Sequence, residues 1–472
     1  MKYLMTAGLE THVELSTKSK MFCSCKTEFA GEPNSRCCPV CLGLPGSLPV
    51  INKQAVELAI LAGLALNCKI NTLSYMDRKN YSYPDLPKAY QISQYDVPLC
   101  YDGFIKLSSG KVIRISRIHI EEDAGKLVHN KNETLIDYNR CGVPLIEIVT
   151  EPDFSSSDEV REYVQMLQHL LRYIGVSDCR MQEGSMRCDV NVSVRPADSD
   201  KLGTRTEIKN MNSVANMVKA LEYEYKRQTE LLEKGESITQ ETLRFVESDG
   251  STSPMRSKED ARDYRFFREP DLLPLHIGEA ELKRIKENLP EMPSIKLERY
   301  VKEFGLSKTD AQHLIKYRRV SEFFDEVAKL TSDAKTASKL IIGQMFSLFS
   351  TEAQKEEFSV KVTPFQLSEL VALLSSGKVN SSLAKTTLDK MLLSGKDVTD
   401  FLSAEDLKGF TKAELENLCA KAIEQSPSAV ADFKGGKEKA LMALVGFVMR
   451  ESRGKANAET AKECLEKLLT DN

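Results

Sequence analysis

The chain has no long hydrophobic run. Its longest apolar stretch, Leu58 to Leu66, is nine residues, against the roughly 20 that a membrane-spanning helix needs. Nor is it dominated by charge of one sign. The net charge is −4, so no global field draws it to nucleic acid, and any RNA contact must come from local patches. The string G-x-x-x-x-G-K-[ST] is missing, which excludes a P-loop by motif. No G-x-S-x-G occurs, and no serine-glycine-rich amidase stretch. Internal repeats and low-complexity segments are absent as well. No signal peptide is evident and the 12 cysteines are scattered, so a reduced, cytoplasmic setting is expected rather than a disulfide framework.

What is present begins with thiols. Cys23 and Cys25 form a C-x-C, and after a short loop Cys38 and Cys41 form a C-x-x-C. Each pair can grip one edge of a tetrahedron, which is what a closed structural Zn²⁺ site requires. Free thiols in a loop are the plainer alternative, and Cys37 could replace Cys38 as a ligand. The loop follows GLETHVEL, where Glu10, His12 and Glu14 alternate with Leu9, Thr11 and Val13.

At 472 residues the chain is too long for one ordinary core, and two to four domains are expected. Residues 1–290 read as short alternating strands, with helices over Lys53–Asn67, Ser156–Ile174 and Val214–Lys234. Two prolines in Asn288 to Ser294 mark a boundary. Beyond it helical periodicity dominates, giving an α+β chain with a helical domain at 291–400. The turn-rich stretch Leu393 to Thr399 then divides off a helical tail at 401–472. In that tail Gly435-Gly436 sets a turn before an apolar helix over Ala440 to Met449. Lys437, Lys439, Arg450, Arg453 and Lys455 cluster at its ends, as a phosphate-backbone contact or a solvated helix cap.

Several strand candidates gather acids on one face. Besides GLETHVEL, His119 and Glu121 share a face with Glu122 and Asp123 following, and Glu147 and Glu151 oppose Ile146 and Ile148. Asp189, Asn191, Ser193 and Arg195 oppose a valine row, and Arg205, Glu207 and Lys209 form one more face. An antiparallel sheet with one wet side is the ordinary reading. Yet acids converging from five segments repel one another unless cations neutralise them, and Mg²⁺ with a nucleotide would do so. Arg117, Lys79, Lys126, Arg195, Arg205 and Lys209 could hold phosphate oxygens. The tyrosine-rich loop Asp77 to Leu99 suits stacking on a base or sugar. The string Ser253 to Leu275 mixes Arg256, Arg262, Arg265 and Arg268 with Tyr264, Phe266 and Phe267, and could also meet an anionic partner.

The strings GLETHVEL, CPVCLGLPGSLPVIN, DRKNYSYPDLPKAYQISQ, IHIEEDAGK, DYNRCGVPLIEIVTEPD, MQEGSMRCDVNVSVRP, EIKNMNS and YRFFREPDLLPL run almost continuously from residue 8 to 275. In that order they closely resemble the B subunits (GatB) of bacterial glutamyl/aspartyl-tRNA amidotransferases. The resemblance implies an antiparallel-sheet cradle like the catalytic core of glutamine synthetase, and a YqeY-type tail that binds tRNA. It implies an enzyme, a ligase forming a C–N bond. ATP and Mg²⁺ phosphorylate the side-chain carboxylate of Glu or Asp wrongly esterified to tRNA(Gln) or tRNA(Asn), and ammonia then displaces phosphate. With no glutaminase motif here, ammonia is expected from a GatA-type amidase subunit, with a GatC-type small subunit alongside. Carried over by motif, His12, Glu122, Glu147 and Glu207 are expected at Mg²⁺, with Glu10 close by. Asp189 and Asn191 would support them, while Lys79, Arg195 and Lys209 meet phosphate or substrate. Cys23, Cys25, Cys38 and Cys41 match the family's zinc-bearing branch. The competing readings are a zinc-stapled RNA-binding scaffold whose acids are structural, and a metal-dependent nuclease.

Overall fold

The computed structural model describes residues 3–255, 264–403, 412–435, 437, 439–452, 456 and 458–470. They fall into two compact units, Met1–Met292 and Pro293–Asn472, divided within the proline-punctuated string. None of the described helices is long and apolar enough to cross a membrane.

The first unit is built on strands β1 (Tyr3–Glu14), β2 (Lys69–Ile70), β3 (Asp77–Asn80), β4 (Tyr90–Ser93), β5 (Cys100–Lys106), β6 (Val112–Glu122), β7 (Pro144–Thr150), β8 (Met186–Pro196), β9 (Thr206–Met211), β10 (Thr242–Val246), β11 (Ser251–Pro254) and β12 (Arg265–Arg268). Nine of them form one sheet in the order β11-β10-β9-β8-β1-β7-β6-β5-β2, and a smaller sheet runs β12-β3-β4. Helices α1 (Lys53–Ala65), α2 (Ser157–Tyr173) and α3 (Val214–Glu233) lie within a residue or two of their expected spans. Their starts follow from caps: the Asn52 side chain accepts from the amides of Gln54 and Ala55, and Ser156 accepts from that of Glu159. Beyond α3, Gly235 takes a left-handed φ of 77° that a side chain would resist.

One expectation needs correcting. The large sheet is not wholly antiparallel, because β9 and β10 pair in parallel. A parallel pair needs a long crossover, and α3 supplies it.

The alternation seen in the sequence becomes the two faces of the large sheet. Leu9, Val13, Ile118, Ile120, Ile146, Ile148, Val190 and Val192 are all essentially buried, in one core with Ile60, Tyr163, Leu167 and Leu221 of the helices. Each such aliphatic side chain contributes about 1.5–3 kcal/mol by leaving water. That also fixes the register, since a one-residue slip would turn the acids of the opposite face into this core.

Pro293–Asn472 contains no strand among its described residues. It holds two separate apolar cores, one over Tyr300 to Leu402 and one over Leu415 to Leu469. The helix Ser381–Ser394 ends at Gly395, which adopts a φ of 75° in the turn-rich stretch. The expected apolar helix runs over Lys439–Glu451. Of the basic residues flanking it, Lys437 pairs with Asp432 at 3.0 Å, and Arg450 sits 5.5 Å from the Phe447 ring centre. Gly436, Arg453 and Lys455 lie outside the described residues, as do Arg256 and Arg262.

Candidate active site and metal centre

The polar face of the large sheet is organised around β1. His12 stands opposite Glu147 of β7, and Glu147 stands opposite His119 of β6. Glu121, one pleat further along β6, completes a group in which one ligand atom each of His12, Glu121 and Glu147 lie within 4.8 Å of one another. His12 Nε2 is 3.5 Å from Glu121 and 3.3 Å from Glu147, while His119 Nε2 is 3.3 Å from Glu147 and 3.7 Å from Glu121. Burial works against charge on His119, but Glu147 and Glu121 outweigh it and push the imidazole up to about 9. His12 moves the same way: burial again opposes its charge and loses to Glu147 and Glu121. Burial alone would raise Glu147, yet the two histidines hold it well below the usual carboxylate range.

The second group is Glu10, Asp189 and Glu207, again with ligand atoms within 4.8 Å. Glu10 faces Asp189 across β1 and β8, and Asn191 faces Glu207 across β8 and β9. The β8–β9 ladder shifts register between Cys188 and Val190, and Asn210 takes a φ of 57°. Such a bulge re-aims side chains. Here it lets Asp189 accept both Lys209 Nζ at 2.7 Å and the Asn210 amide at 2.8 Å. Lys209 also reaches Glu207 at 2.6 Å, and these two acids overcome its burial to raise its pKa. Glu10 accepts from Asn191 Nδ2 at 3.0 Å; burial, then Glu147, raises its carboxyl. Because Glu10 and His12 are two residues apart on one strand, the groups are about 7 Å apart along it. A pocket of about 250 Å³ opens beside the second group, lined by Thr6, Gly8, Glu10, Asn191, Ser193 and Arg205 among others.

The small sheet borders the first group, with Ser93 Oγ donating to Glu121 at 3.4 Å. Its Lys79 ammonium lies 4.6 Å from the Tyr264 ring centre and has no carboxylate partner among the described residues. Tyr95 stacks on Phe266 with ring centres 4.2 Å apart. This surface offers both a cation and open aromatic faces.

The structure therefore brings His12 and Glu147 together in one group, and Glu10, Asp189, Asn191, Glu207 and Lys209 in the other. It does not bring in Glu122. In a strand, neighbouring residues face opposite sides, so with Glu121 on the acidic face Glu122 turns to the other. There it pairs with Lys88 and accepts from the Ile92 amide at 3.0 Å. Arg195 shares the face of Asp189 but sits six residues along β8, about 20 Å away, and binds the Ser199 carbonyl. Glu121 and His119 are the additions. Their shared face was visible in the alternation, whereas the carry-over by motif named Glu122, which lies outside this group.

The four sulfurs of Cys23, Cys25, Cys38 and Cys41 also lie within 4.8 Å of one another, with Cys37 outside the group. Four soft thiolates at mutual contact suit a structural zinc ion. The loop they sit on is fastened to the segment leading into β7. Met21 N donates to the Gly142 carbonyl at 2.7 Å, Arg36 N to Asn139 at 2.8 Å, and Asn34 N to Asp137 at 3.0 Å. The cluster thus braces the strand that carries Glu147. The acidic groups pass a similar test for a hard cation. They present oxygens with one imidazole, and His119 Nδ1 and Asn191 Oδ1 are buried beside them without hydrogen-bond partners among the described residues.

Comparison with known proteins gives concordant matches. Residues 5–283 match the family model of the GatB/GatE catalytic domain, and 322–469 match that of the GatB domain. A relative from Thermoanaerobacter pseudethanolicus is 50% identical over 475 residues, covering 100% of both chains. Another from Caldicellulosiruptor saccharolyticus is 49% identical with 99% of each covered, and one from Clostridium botulinum is 48% identical with 97% covered. Each of the three is named as the B subunit of an aspartyl/glutamyl-tRNA(Asn/Gln) amidotransferase.

Proposed function

This chain belongs to the family of aspartyl/glutamyl-tRNA(Asn/Gln) amidotransferase B subunits, and on that premise we propose that its acidic sheet face activates a misacylated tRNA for amidation. The substrate is Glu or Asp wrongly esterified to tRNA(Gln) or tRNA(Asn), and the activating phosphoryl group comes from ATP. The observation that carries this reading is the pair of acid-rich groups on one sheet face, sharing β1. A scaffold that merely bound RNA would have no use for two such groups of ionisable side chains held this close, since each member gives up hydration and the acids repel one another. The scaffold reading is not favoured.

A carboxylate is a poor electrophile and its oxygen a poor leaving group, so it must be phosphorylated before ammonia can displace anything. In such transfers positioning and charge neutralisation supply most of the rate. Mg²⁺, when bound, neutralises phosphate oxygens and so favours the transfer. His12, Glu121 and Glu147 would hold one ion, and Glu10, Asp189 and Glu207 a second. Lys209 neutralises Asp189 and Glu207, and its flexible stem can redirect the ammonium to a phosphate oxygen. Arg205 in the adjoining pocket and Lys79 at the aromatic rim are the cations that face an anionic substrate from either side. Ammonia comes from a GatA-type amidase subunit, with a GatC-type small subunit completing the complex. The cradle spans 1–290, the helical domain 291–400, and the tail at 401–472 contacts tRNA. The setting is cytoplasmic.

The test supplies the chain and its partner subunits with ATP, Mg²⁺, Glu-tRNA(Gln) and free ammonia, and measures Gln-tRNA(Gln). Glu207→Ala is expected to slow product formation by about 10²–10³-fold, the usual cost of losing one electrostatic stabiliser. An unchanged rate would remove Glu207 from the site.

A further inference from the structure

Lys20 follows β1 and leads into the thiol-bearing loop, and it is fully buried. An ammonium taken out of water is costly unless it is paired and hydrogen-bonded. It has three donors, and here they reach three acceptors: the Arg36 carbonyl at 2.8 Å, the Tyr138 carbonyl at 3.3 Å and Cys41 Sγ at 3.7 Å. No carboxylate pairs with it among the described residues, and neighbouring Glu122 is taken by Lys88. Two carbonyls solvate a charge but do not cancel it. Among the described residues, the negative charge that its ammonium touches is that of the thiolate cluster, reached at Cys41.

Four thiolates around a divalent ion leave a net charge of about −2 in a partly buried loop, an electrostatic problem of its own. Resting on the zinc reading, we propose that Lys20 is the built-in counter-charge of the Cys23–Cys25–Cys38–Cys41 centre, a positioning residue that retards loss of the metal. The same side chain ties the loop, through Arg36, to the segment before β7, through Tyr138. Metal retention and the placement of Glu147 are thereby linked by one ammonium. A lysine serving only as a tie between two carbonyls would have no need of its charge, and that is where the two accounts separate.

The experiment uses the full-length chain with its partner subunits. Metal content is measured first, then the rate at which zinc passes to a chromogenic chelator. Lys20→Met, which keeps the stem and removes the charge, is expected to release zinc about 10–100-fold faster, the usual cost of losing a group that supports a ligand. Lys20→Arg is expected to stay close to wild type. Cys25→His lowers the negative charge of the ligand set, so in that background Lys20→Met should accelerate release far less. Equal acceleration in both backgrounds, or none in either, overturns the counter-charge assignment. Should Lys20→Met fail to accumulate in folded form, recovery of folded protein in the double variant supports the proposal, and failure to recover it counts against it. A wild-type protein purified without metal would overturn the zinc reading itself, which is a different result.

Discussion

The two acidic groups on the sheet face are neutralised by different cations. Around Glu121 and Glu147 the charge is carried by His12 and His119, held rigidly in strands β1 and β6. Around Asp189 and Glu207 it is carried by Lys209 on a flexible stem. An imidazolium can discharge by losing a proton in the neutral-to-alkaline range, and a neutral His12 would then be free to act as a ligand itself. An ammonium raised above its usual pKa cannot discharge, so it makes room only by swinging away. On the proposed function the first group would therefore be a proton-coupled cation site, and the second one whose own lysine would move toward an incoming phosphate.

The contrast breaks most visibly at Glu121. Glu121→Gln is expected to lower amidation by about 10²–10³-fold, because it removes a charge from the reacting face. Glu122→Gln, one residue away, should do the reverse. It leaves Lys88 buried without its acid, which costs about 3–5 kcal/mol of stability, while the rate per folded molecule stays near wild type. Melting curves and single-turnover amidation on both variants decide it. A catalytic loss confined to Glu122→Gln would mean that the strand's two faces have been assigned the wrong way round.

A smaller effect sharpens the same contrast through pH. His119 is raised in the folded chain to about 9 from an ordinary 6.5. Its contribution to stability is thus fully present below about 6.5 and is lost as pH rises through about 9. In Mg²⁺-free buffer the melting temperature should fall over that window, and added divalent cation should oppose the fall. Mn²⁺ binding at the first group should tighten by up to about tenfold per pH unit as the proton leaves, whereas binding at the second should barely change. Mn²⁺ titrations followed by paramagnetic resonance at pH 6.5 and pH 9, with Glu147→Gln and Glu207→Gln to isolate each group, test this. Two sites of equal pH dependence would erase the distinction.

Much of this arrangement is legible in the sequence because strand alternation is a local rule. Glu10 and His12 on β1, and Asp189 and Asn191 on β8, could be assigned to a common face from period-two spacing alone. What alternation gives is a face, not a distance along it. Arg195 shares that face and still lies apart from the Glu10–Asp189–Glu207 group, since six residues of extended chain separate it from Asp189. The bulge that turns Asn210 and Lys209 toward Asp189 is invisible to a regular pattern, because it is defined by an interruption. Pairings between distant segments were hidden too. Arg265 of β12 lies beside Asn80 of β3, and the parallel β9–β10 contact depends on where α3 packs. The third thiol was ambiguous for a related reason: Cys37 and Cys38 are adjacent in sequence, and only the fold of the loop chooses between them.

Glu14 offers the finest test, because it lies on the same strand face as Glu10 and His12 yet joins neither group. Burial, then Asp123, raises its carboxyl to about 7, against the opposing pull of Arg187 and Arg140. Those two arginines are held at Asp123, at 2.8 and 3.3 Å. A carboxyl whose folded pKa lies above its unfolded 4.5 favours the fold only while protonated. Its contribution is present below about 4.5 and lost as pH rises through about 7, the opposite of a salt-bridged acid. Glu14→Gln should therefore stabilise the chain at pH 8 by up to about 3 kcal/mol, with most of that gain gone by pH 5 and amidation unaffected. Thermal melts at the two pH values, run beside the amidation assay, measure it. A gain that persists undiminished at pH 5 would show that shape rather than charge governs this position. A loss of turnover would place Glu14 with the reacting groups, and the sheet face would then hold three acidic centres along β1 instead of two.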